Sequence, residues 1–160
     1  MEADLVIVVP GHVTSWQQET KHRRTRAGKH YSAPGDIPAA AAYREHLKQH
    51  IWLAAREAHW EIPVGPVEVR ILAFRQPPQS RPKVRALTLR EAYPCGRPDC
   101  TNALKIAEDA ATEILWKDDS YNCDVRSAKF YCEPGEPERL EIHVRVITES
   151  PAERLRELRA

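Results

Sequence analysis

The sequence lacks any long apolar run, and this excludes one broad class of protein. Its longer apolar stretches, such as Leu5 to Val9, fall far short of the roughly 20 residues with which a helix crosses a bilayer. The first residues, Met1-Glu2-Ala3-Asp4, also lack the basic charge that precedes the apolar part of a secretory signal. We therefore expect a cytoplasmic protein with no membrane partner.

Glycine and cysteine are also scarce, at 6 and 4 residues of 160, against 13 prolines. No period of 20 to 50 residues repeats, which excludes a solenoid. Without a signal sequence the four cysteines are expected to be reduced. Cys95 and Cys100, like Cys123 and Cys132, are spaced more widely than the C-x2-C pairs of zinc sites. Free buried thiols are therefore favoured, and a four-cysteine zinc site is the open alternative.

The net charge is only +1, which excludes a protein that binds nucleic acid through uniform basicity. The charges are nevertheless unevenly distributed. Residues 20–90 contain 14 Lys and Arg against 5 Asp and Glu, whereas residues 91–160 contain 10 against 15. The first half could bind an anionic partner and the second half could hold a metal. The alternative that such a charged segment is only a solvated surface stays open.

Hydrophobic patterning predicts a strand, a loop and a helix in the first 60 residues. Leu5 to Val9 is short and β-branched, and predicts a strand buried on both faces. Residues 12–34 have almost no apolar side chains and predict a mobile basic loop. Asp36 as N-cap and Pro38 near the first helical position predict a helix that ends near His59.

The rest of the chain predicts one more helix and three more strands. Apolar residues alternate from Val67, which predicts a half-buried strand ending at Phe74. A helix is predicted over residues 101–115 with Thr101 as N-cap. Residues 124–132 and 140–146 predict two strands of a hairpin joined by a turn at residues 133–137.

This order of elements predicts a single α+β domain over residues 1–150, with two main helices packed on a mixed sheet. Pro151 begins a polar C-terminal tail, residues 151–160, in which Leu155 and Leu158 have helical spacing.

Three carboxylates flank the second predicted helix, with Asp99 before it and Asp118 and Asp119 after it. A helix of about 15 residues is roughly 22 Å long, so its two ends cannot share a site through helix geometry alone. If a strand or loop brings the carboxylates together, a divalent cation would relieve their repulsion, and oxygen ligands favour Mg²⁺ or Mn²⁺. Solvated turn residues are the alternative explanation.

A series of short motifs runs from Pro98 to Tyr131. It reads Pro98-Asp99-Cys100-Thr101-Asn102-Ala103-Leu104-Lys105, then Glu108-Asp109-Ala110, then Trp116-Lys117-Asp118-Asp119-Ser120, and Lys129 with Tyr131. In residue types and spacing it resembles the RusA family of Holliday junction resolvases. The pattern of that family is Pro-Asp-x-Asp-Asn-Leu-x-Lys, Asp-Ala, Trp-x-Asp-Asp-Ser and Lys-x-Tyr.

The resemblance implies a RusA-like fold and a bacterial or phage-encoded homodimer. It implies an Mg²⁺-dependent endodeoxyribonuclease, with Mn²⁺ as the other ion, that resolves four-way DNA junctions by paired symmetric nicks in recombination and repair. Carried over by position, Asp99, Asp118 and Asp119 would bind the metal and act in catalysis. Lys105 would be the catalytic cation near the scissile phosphate.

Four further positions of the motifs are expected to support these residues: Thr101, Asn102, Asp109 and Lys129. Thr101 departs from the family pattern, which has a second aspartate there. One charged ligand fewer should weaken metal affinity, although the hydroxyl could hold a metal-bound water or cap the helix. Asp109 lies on the same helix face as Lys105, so a salt bridge between them is an equally good explanation of its presence.

The basic segments would then neutralise DNA phosphates around the cut. The residues expected to contact DNA are Arg23, Arg24, Arg26, Lys29, Arg81, Lys83 and Arg85. Two other functions stay open. The chain could be a catalytically weak or inactive protein that binds branched DNA, through the change at Thr101, or a flap or fork nuclease that uses the same site.

Overall fold

Six strands form one mixed sheet and one hairpin in the computed structural model, which describes residues 2–14, 18–24, 28, 30–78, 93–97 and 99–159. The strands are β1 (Leu5–Pro10), β2 (Gln18–Arg24), β3 (His30–Asp36), β4 (Val67–Arg75), β5 (Asn122–Tyr131) and β6 (Arg139–Val146). The mixed sheet has the order β1-β6-β4-β5, and β2 pairs with β3. The predicted α+β domain with a mixed sheet is confirmed.

In the described ranges, three α-helices accompany the strands: α1 (Pro38–Glu57), α2 (Cys100–Ala111) and α3 (Pro151–Arg159). α1 and α2 pack against each other and against one face of the sheet, as predicted. Fully buried Leu47, Ile51 and Ile106 from these helices meet alternate strand residues such as Ile71 and Ile142 in one core. Within the described part of the chain, no helix is both long enough and apolar enough to cross a membrane.

β5 and β6 do not form the predicted hairpin, because β4 lies between them. β4 runs antiparallel to β6 and parallel to β5, and α2 supplies the crossover that a parallel pair requires. Val67, Val69 and Ile71 of β4 are fully buried. A strand this apolar gains most in the centre of the sheet, and burial therefore overrides the local turn signal at residues 133–137.

β1 is an edge strand of the sheet. The prediction that both of its faces are buried is wrong. It pairs with β6, and its burial alternates along its length. Ile7 and Val9 are buried, while Val6 and Val8 are about half exposed, at 49% and 51%. The run of five apolar residues therefore reflects β propensity and not burial on both faces.

Both main helices differ at their ends from the prediction. α1 begins at Pro38 as expected, but its N-cap is Ile37, because Asp36 is the last residue of β3. α2 is capped by Asp99 and not by Thr101, and ends at Ala111 rather than at residue 115. The backbone of Glu113 adopts a φ of 66°, which the helix cannot continue through.

Residues 12–34, predicted as a loop, contain most of a two-stranded hairpin. Gln18 pairs with Asp36, and the register continues to Arg24 opposite His30. The loop prediction is wrong for these segments because backbone hydrogen bonds can pair two strands without any apolar side chains. The loop prediction rested on hydrophobic periodicity, which gives no signal for a hairpin of this kind.

The face of the sheet opposite α1 and α2 carries a buried carboxylate, Glu68. Its oxygens accept from Arg70 at 3.1 Å, from Arg145 at 3.0 Å and from Arg154 at 2.6 Å. Arg154 belongs to α3 and also reaches Asp124 on β5 at 2.5 Å. Residues 151–159, predicted as a polar tail, thus form a helix that ion pairs hold against the sheet.

Candidate functional site

The C-terminal half of α2 and the turn before β5 form an acidic cluster, which comprises Glu108, Asp109, Asp118 and Asp119. α2 presents Glu108 and Asp109 after Lys105. A short 3-10 turn, Asp119–Tyr121, follows the buried Trp116 and leads directly into β5. Because α2 packs on β5, the turn returns toward the helix.

Glu108 connects the two parts of this cluster. The Asn122 side chain donates a 2.9 Å hydrogen bond from Nδ2 to Oε1 of Glu108. Burial raises the pKa of Glu108, and the negative charges of Asp119 and Asp109 raise it further, against the lowering effects of the Asn122 hydrogen bond and Lys105. Glu108 therefore shares its electrostatic environment with Asp119.

Glu108 was not among the residues predicted for the site. It lies in the same Glu108-Asp109-Ala110 motif as Asp109, three residues after Lys105 and therefore on the same side of the helix. That spacing was the available signal. The half-burial and the bond to Asn122, which distinguish Glu108 from Asp109, depend on how β5 packs and are not visible in the sequence.

Asp118 caps the 3-10 turn. Its Oδ1 accepts from the backbone N of Ser120 at 3.0 Å. Hydrogen bonds from Ser120 lower the pKa of Asp118, with a smaller contribution from a hydrogen bond to Asp119. Asp118 and Asp119 are adjacent in the chain, and both are exposed. This arrangement leaves both side chains accessible to a cation or a DNA strand.

Asp99 lies at the other end of α2. Its Oδ1 accepts from the backbone N of Asn102 at 2.8 Å, which caps the helix. Nine residues separate Asp99 from Glu108, a rise of roughly 13 Å along the helix axis. Throughout the described ranges, no three His, Cys, Asp or Glu side chains are grouped to hold a metal ion. The convergence of Asp99, Asp118 and Asp119 on one ion stays a prediction.

Lys105 lies between Asp99 and the acidic cluster along α2. Its Nζ is 3.9 Å from Oδ1 of Asp109, and the side chains of Lys105 and Asp109 are 48% and 33% exposed. This pair is the salt bridge considered as the alternative role of Asp109. At such exposure this pair contributes little to stability.

The segment before Asp99 is held by side chains of the parallel strands. Lys129 donates from Nζ to the carbonyl of Gly96 at 2.8 Å, and Arg75 donates to the carbonyl of Arg97. Ser127 donates from Oγ to the carbonyl of Cys100 at 3.0 Å. Lys129 therefore supports the backbone near Asp99. Its support of a metal site stays a prediction. Thr101 is exposed on the first turn of α2.

Two further expectations from the sequence concern the cysteines and the basic residues. All four thiols are unpaired, but Cys95 and Cys123 are exposed, so only part of the expected burial holds. Arg23 and Arg24 belong to β2. The other residues expected to contact DNA lie outside the described residues: Arg26, Lys29, Arg81, Lys83 and Arg85.

Two comparisons with known proteins identify the family of the chain. The family model described as "Endodeoxyribonuclease RusA" matches residues 10–145. The chain is also 32% identical, over 115 residues, to the Bacillus subtilis (strain 168) protein described as "Uncharacterized protein YqaN", a match that spans 67% of this chain and 77% of that protein. Since the family model covers most of the sequence, the chain belongs to the RusA family of endodeoxyribonucleases, which act on branched DNA at Holliday junctions.

Proposed function

We propose that this chain is an Mg²⁺-dependent endodeoxyribonuclease that resolves four-way junctions by paired symmetric nicks. The observation that carries the proposal is the acidic cluster, in which Glu108 lies about one helical turn after Lys105 and the charge of Asp119 contributes to its raised pKa. Carboxylates beside an exposed cation are the groups that hydrolysis of a phosphodiester requires.

The donor set of the cluster fits Mg²⁺. It offers carboxylate oxygens, and the Oδ1 atom of Asn122 is a buried oxygen with no hydrogen-bond partner among the described residues. Mg²⁺ is commonly held by one or two carboxylates together with substrate phosphates and water, so a group of three protein ligands is not required. Asp119 would hold the ion together with Asp118 or Glu108. Asp99 would contribute to the site from the N-terminal end of α2.

When bound, Mg²⁺ would stabilise the negative charge that develops on the phosphate during hydrolysis. The residues of the chain have separate tasks. Lys105 would bind a non-bridging phosphate oxygen in place of Asp109. Asn122 orients Glu108 through their hydrogen bond, and the Ser120 backbone holds Asp118 ionised, so that both carboxylates face the DNA in a fixed arrangement.

Two nicks placed symmetrically on a four-way junction require two sites related by a two-fold axis. We therefore propose a homodimer. The basic residues near the N-terminus, including Arg23 and Arg24, would neutralise phosphates on the arms of the junction.

The direct test is cleavage of a synthetic four-way junction by purified protein in Mg²⁺, with Mn²⁺ as the second ion. We expect paired nicks at symmetric positions and slower cutting of flap, fork and duplex substrates at matched salt. Preferential cutting of flaps or forks would instead assign the site to that substrate. Binding without cleavage in either ion would favour a junction-binding protein weakened by the change at Thr101.

The Glu108→Gln variant is expected to be more stable than the native protein at neutral pH. The folded-state pKa of Glu108 is raised, so the folded protein holds this proton more tightly than the unfolded chain does. Native stability therefore falls as the pH rises from the ordinary glutamate range through the raised value. The uncharged amide of the variant removes that fall and still accepts the hydrogen bond from Asn122, which should raise Tm by about 1 to 2 °C at pH 7.

Thermal unfolding between pH 4 and pH 8 measures this difference. The matched control is Glu61→Gln, since Glu61 is an exposed loop residue. An unchanged pH dependence in Glu108→Gln would contradict the raised pKa of Glu108. The same variant should cleave junctions more slowly, because charge repulsion at an active site is often retained at the expense of stability.

A further inference from the structure

We propose that Arg75, Ser127 and Lys129 are positioning residues, and we name them the strand clamp. They set the position of Asp99 relative to Asp119. They therefore determine the cleavage rate and not the affinity for DNA. The inference deepens the proposed nuclease function and rests on it. The three side chains come from the parallel strands β4 and β5, and each donates to a main-chain carbonyl close to Asp99 in sequence.

The register of the sheet explains why these three side chains reach the same segment. Arg75 is the last residue of β4. Ser127 and Lys129 are two residues apart on β5, so they project from one face of the sheet, and this is the face on which α2 packs. The carbonyls that they hold belong to Gly96, Arg97 and Cys100, on both sides of Asp99.

The segment needs such support because it has little regular structure. Residues 93–97 are turns and bends, and Tyr93, Cys95 and Arg97 are exposed. The backbone N of Cys95 donates to the carbonyl of Tyr93 at 2.8 Å, which closes a tight turn within the segment without tying it to the sheet. The strand clamp supplies that tie.

β5 thereby fixes both ends of the proposed site. The 3-10 turn that begins with Asp119 leads directly into Asn122, the first residue of β5. Ser127 and Lys129, farther along the same strand, hold the segment that carries Asp99. Five residues of strand from Asn122 to Ser127 span about 16 Å, comparable to the length of α2 between Asp99 and Glu108. A displaced clamp would shift Asp99 while leaving Asp119 in place.

The two lysines of the motifs have different roles in this arrangement. Lys105 is exposed on α2 beside Asp109, where a DNA phosphate can reach it. Lys129 is half-buried and directs its ammonium group to the carbonyl of Gly96. A lysine that contacts the substrate and a lysine that positions a loop predict different kinetic effects when each is replaced.

The experiment compares Lys129→Met, Lys129→Arg and Ser127→Ala with the native full-length chain on a four-way junction. Single-turnover cleavage in Mg²⁺ and junction binding without divalent metal are measured separately. We expect Lys129→Met to cut about 10- to 100-fold more slowly, as misplacement of a reacting group by about 1 Å can do, with a junction Kd within about 2-fold of native. Lys129→Arg should recover most of the rate, because arginine can also donate to the carbonyl.

Lys48→Met, at an exposed residue of α1, is the matched control and should leave both measurements unchanged. A loss of junction affinity as large as the loss of rate in Lys129→Met would overturn the proposal in favour of a direct DNA contact. An unchanged rate would overturn it as well.

Amide hydrogen exchange separates this proposal from the nuclease function on which it rests. In Lys129→Met, the amides of Asn102 and Ala103 on the first turn of α2 should exchange about 10-fold faster than in the native protein, while those of β6 keep their native rates. This result is expected even if the native protein fails to cut any junction. Native exchange rates at these amides would exclude the clamp whatever the activity.

Discussion

Asp119→Asn is expected to reduce cleavage of a four-way junction by a factor of about 10² to 10³ or more and to leave junction binding intact. Asparagine keeps the size and one oxygen of the side chain but removes the charge that would hold Mg²⁺ beside the phosphate. Asp119 is exposed at the first position of the 3-10 turn, so the substitution leaves the core unchanged. Cleavage rates in Mg²⁺ and binding by fluorescence anisotropy check the two halves of this expectation.

The neighbouring Asp118→Asn variant is the matched control. Asp118 caps the turn through Ser120, and asparagine is an equally good cap, so the turn should persist. We expect the cleavage rate to fall by only about 10-fold. The substitution removes one charge that interacts with the metal or with its bound water, and it leaves the turn intact. Native cleavage by Asp119→Asn, or equal losses in the two variants, would contradict the central role given to Asp119.

Most local elements of the described fold could be predicted from the sequence, with the exception of the β2–β3 hairpin, whereas the pairing of the strands could not. The β-branched run from Leu5, the proline at the start of α1 and the alternation after Val67 are local signals, and each element formed where it was expected. The order β1-β6-β4-β5 depends on which strand gains most from burial on both faces. That comparison involves strands far apart in the chain, so a turn signal at residues 133–137 wrongly favoured a hairpin.

The same limit applies to the candidate site. The motif from Pro98 to Tyr131 was sufficient to identify the family, which the family model confirms. It did not identify Glu108, whose importance comes from Asn122 on the strand beside it. Nor could it show that Asp99 caps α2 and that side chains of β4 and β5 hold the segment before it. Contacts between residues that are distant in the sequence produce no periodic pattern of residue types, so the sequence pattern does not predict them.

Glu68 was the position at which alternation was most misleading. The pattern of β4 predicts that Glu68 faces solvent, yet its side chain is fully buried because α3 covers that face. Arg154 of α3 bridges Glu68 and Asp124, two carboxylates opposite each other on β4 and β5. Burial alone would raise the pKa of Asp124, but hydrogen bonds from Arg154 and Arg126 lower it. The arginines therefore hold the pKa of Asp124 below its ordinary value.

Glu68→Gln is accordingly expected to destabilise the fold by about 3 to 5 kcal/mol, because it removes the buried charge that three partly buried arginines share. The amide has nearly the volume of the carboxylate, but its NH₂ group would face arginine donors. For a chain of this length the loss corresponds to a Tm lower by roughly 6 to 20 °C.

Glu61→Gln, the same substitution at an exposed residue, should change Tm by less than about 2 °C. Limited proteolysis should also release α3 from Glu68→Gln faster than from the native chain, since Arg154 loses its partner on β4. A Tm drop no larger than that of the Glu61 control would mean that the network can reorganise around Asp124 and Glu149. The buried carboxylate would then not be what holds the C-terminal helix to the sheet.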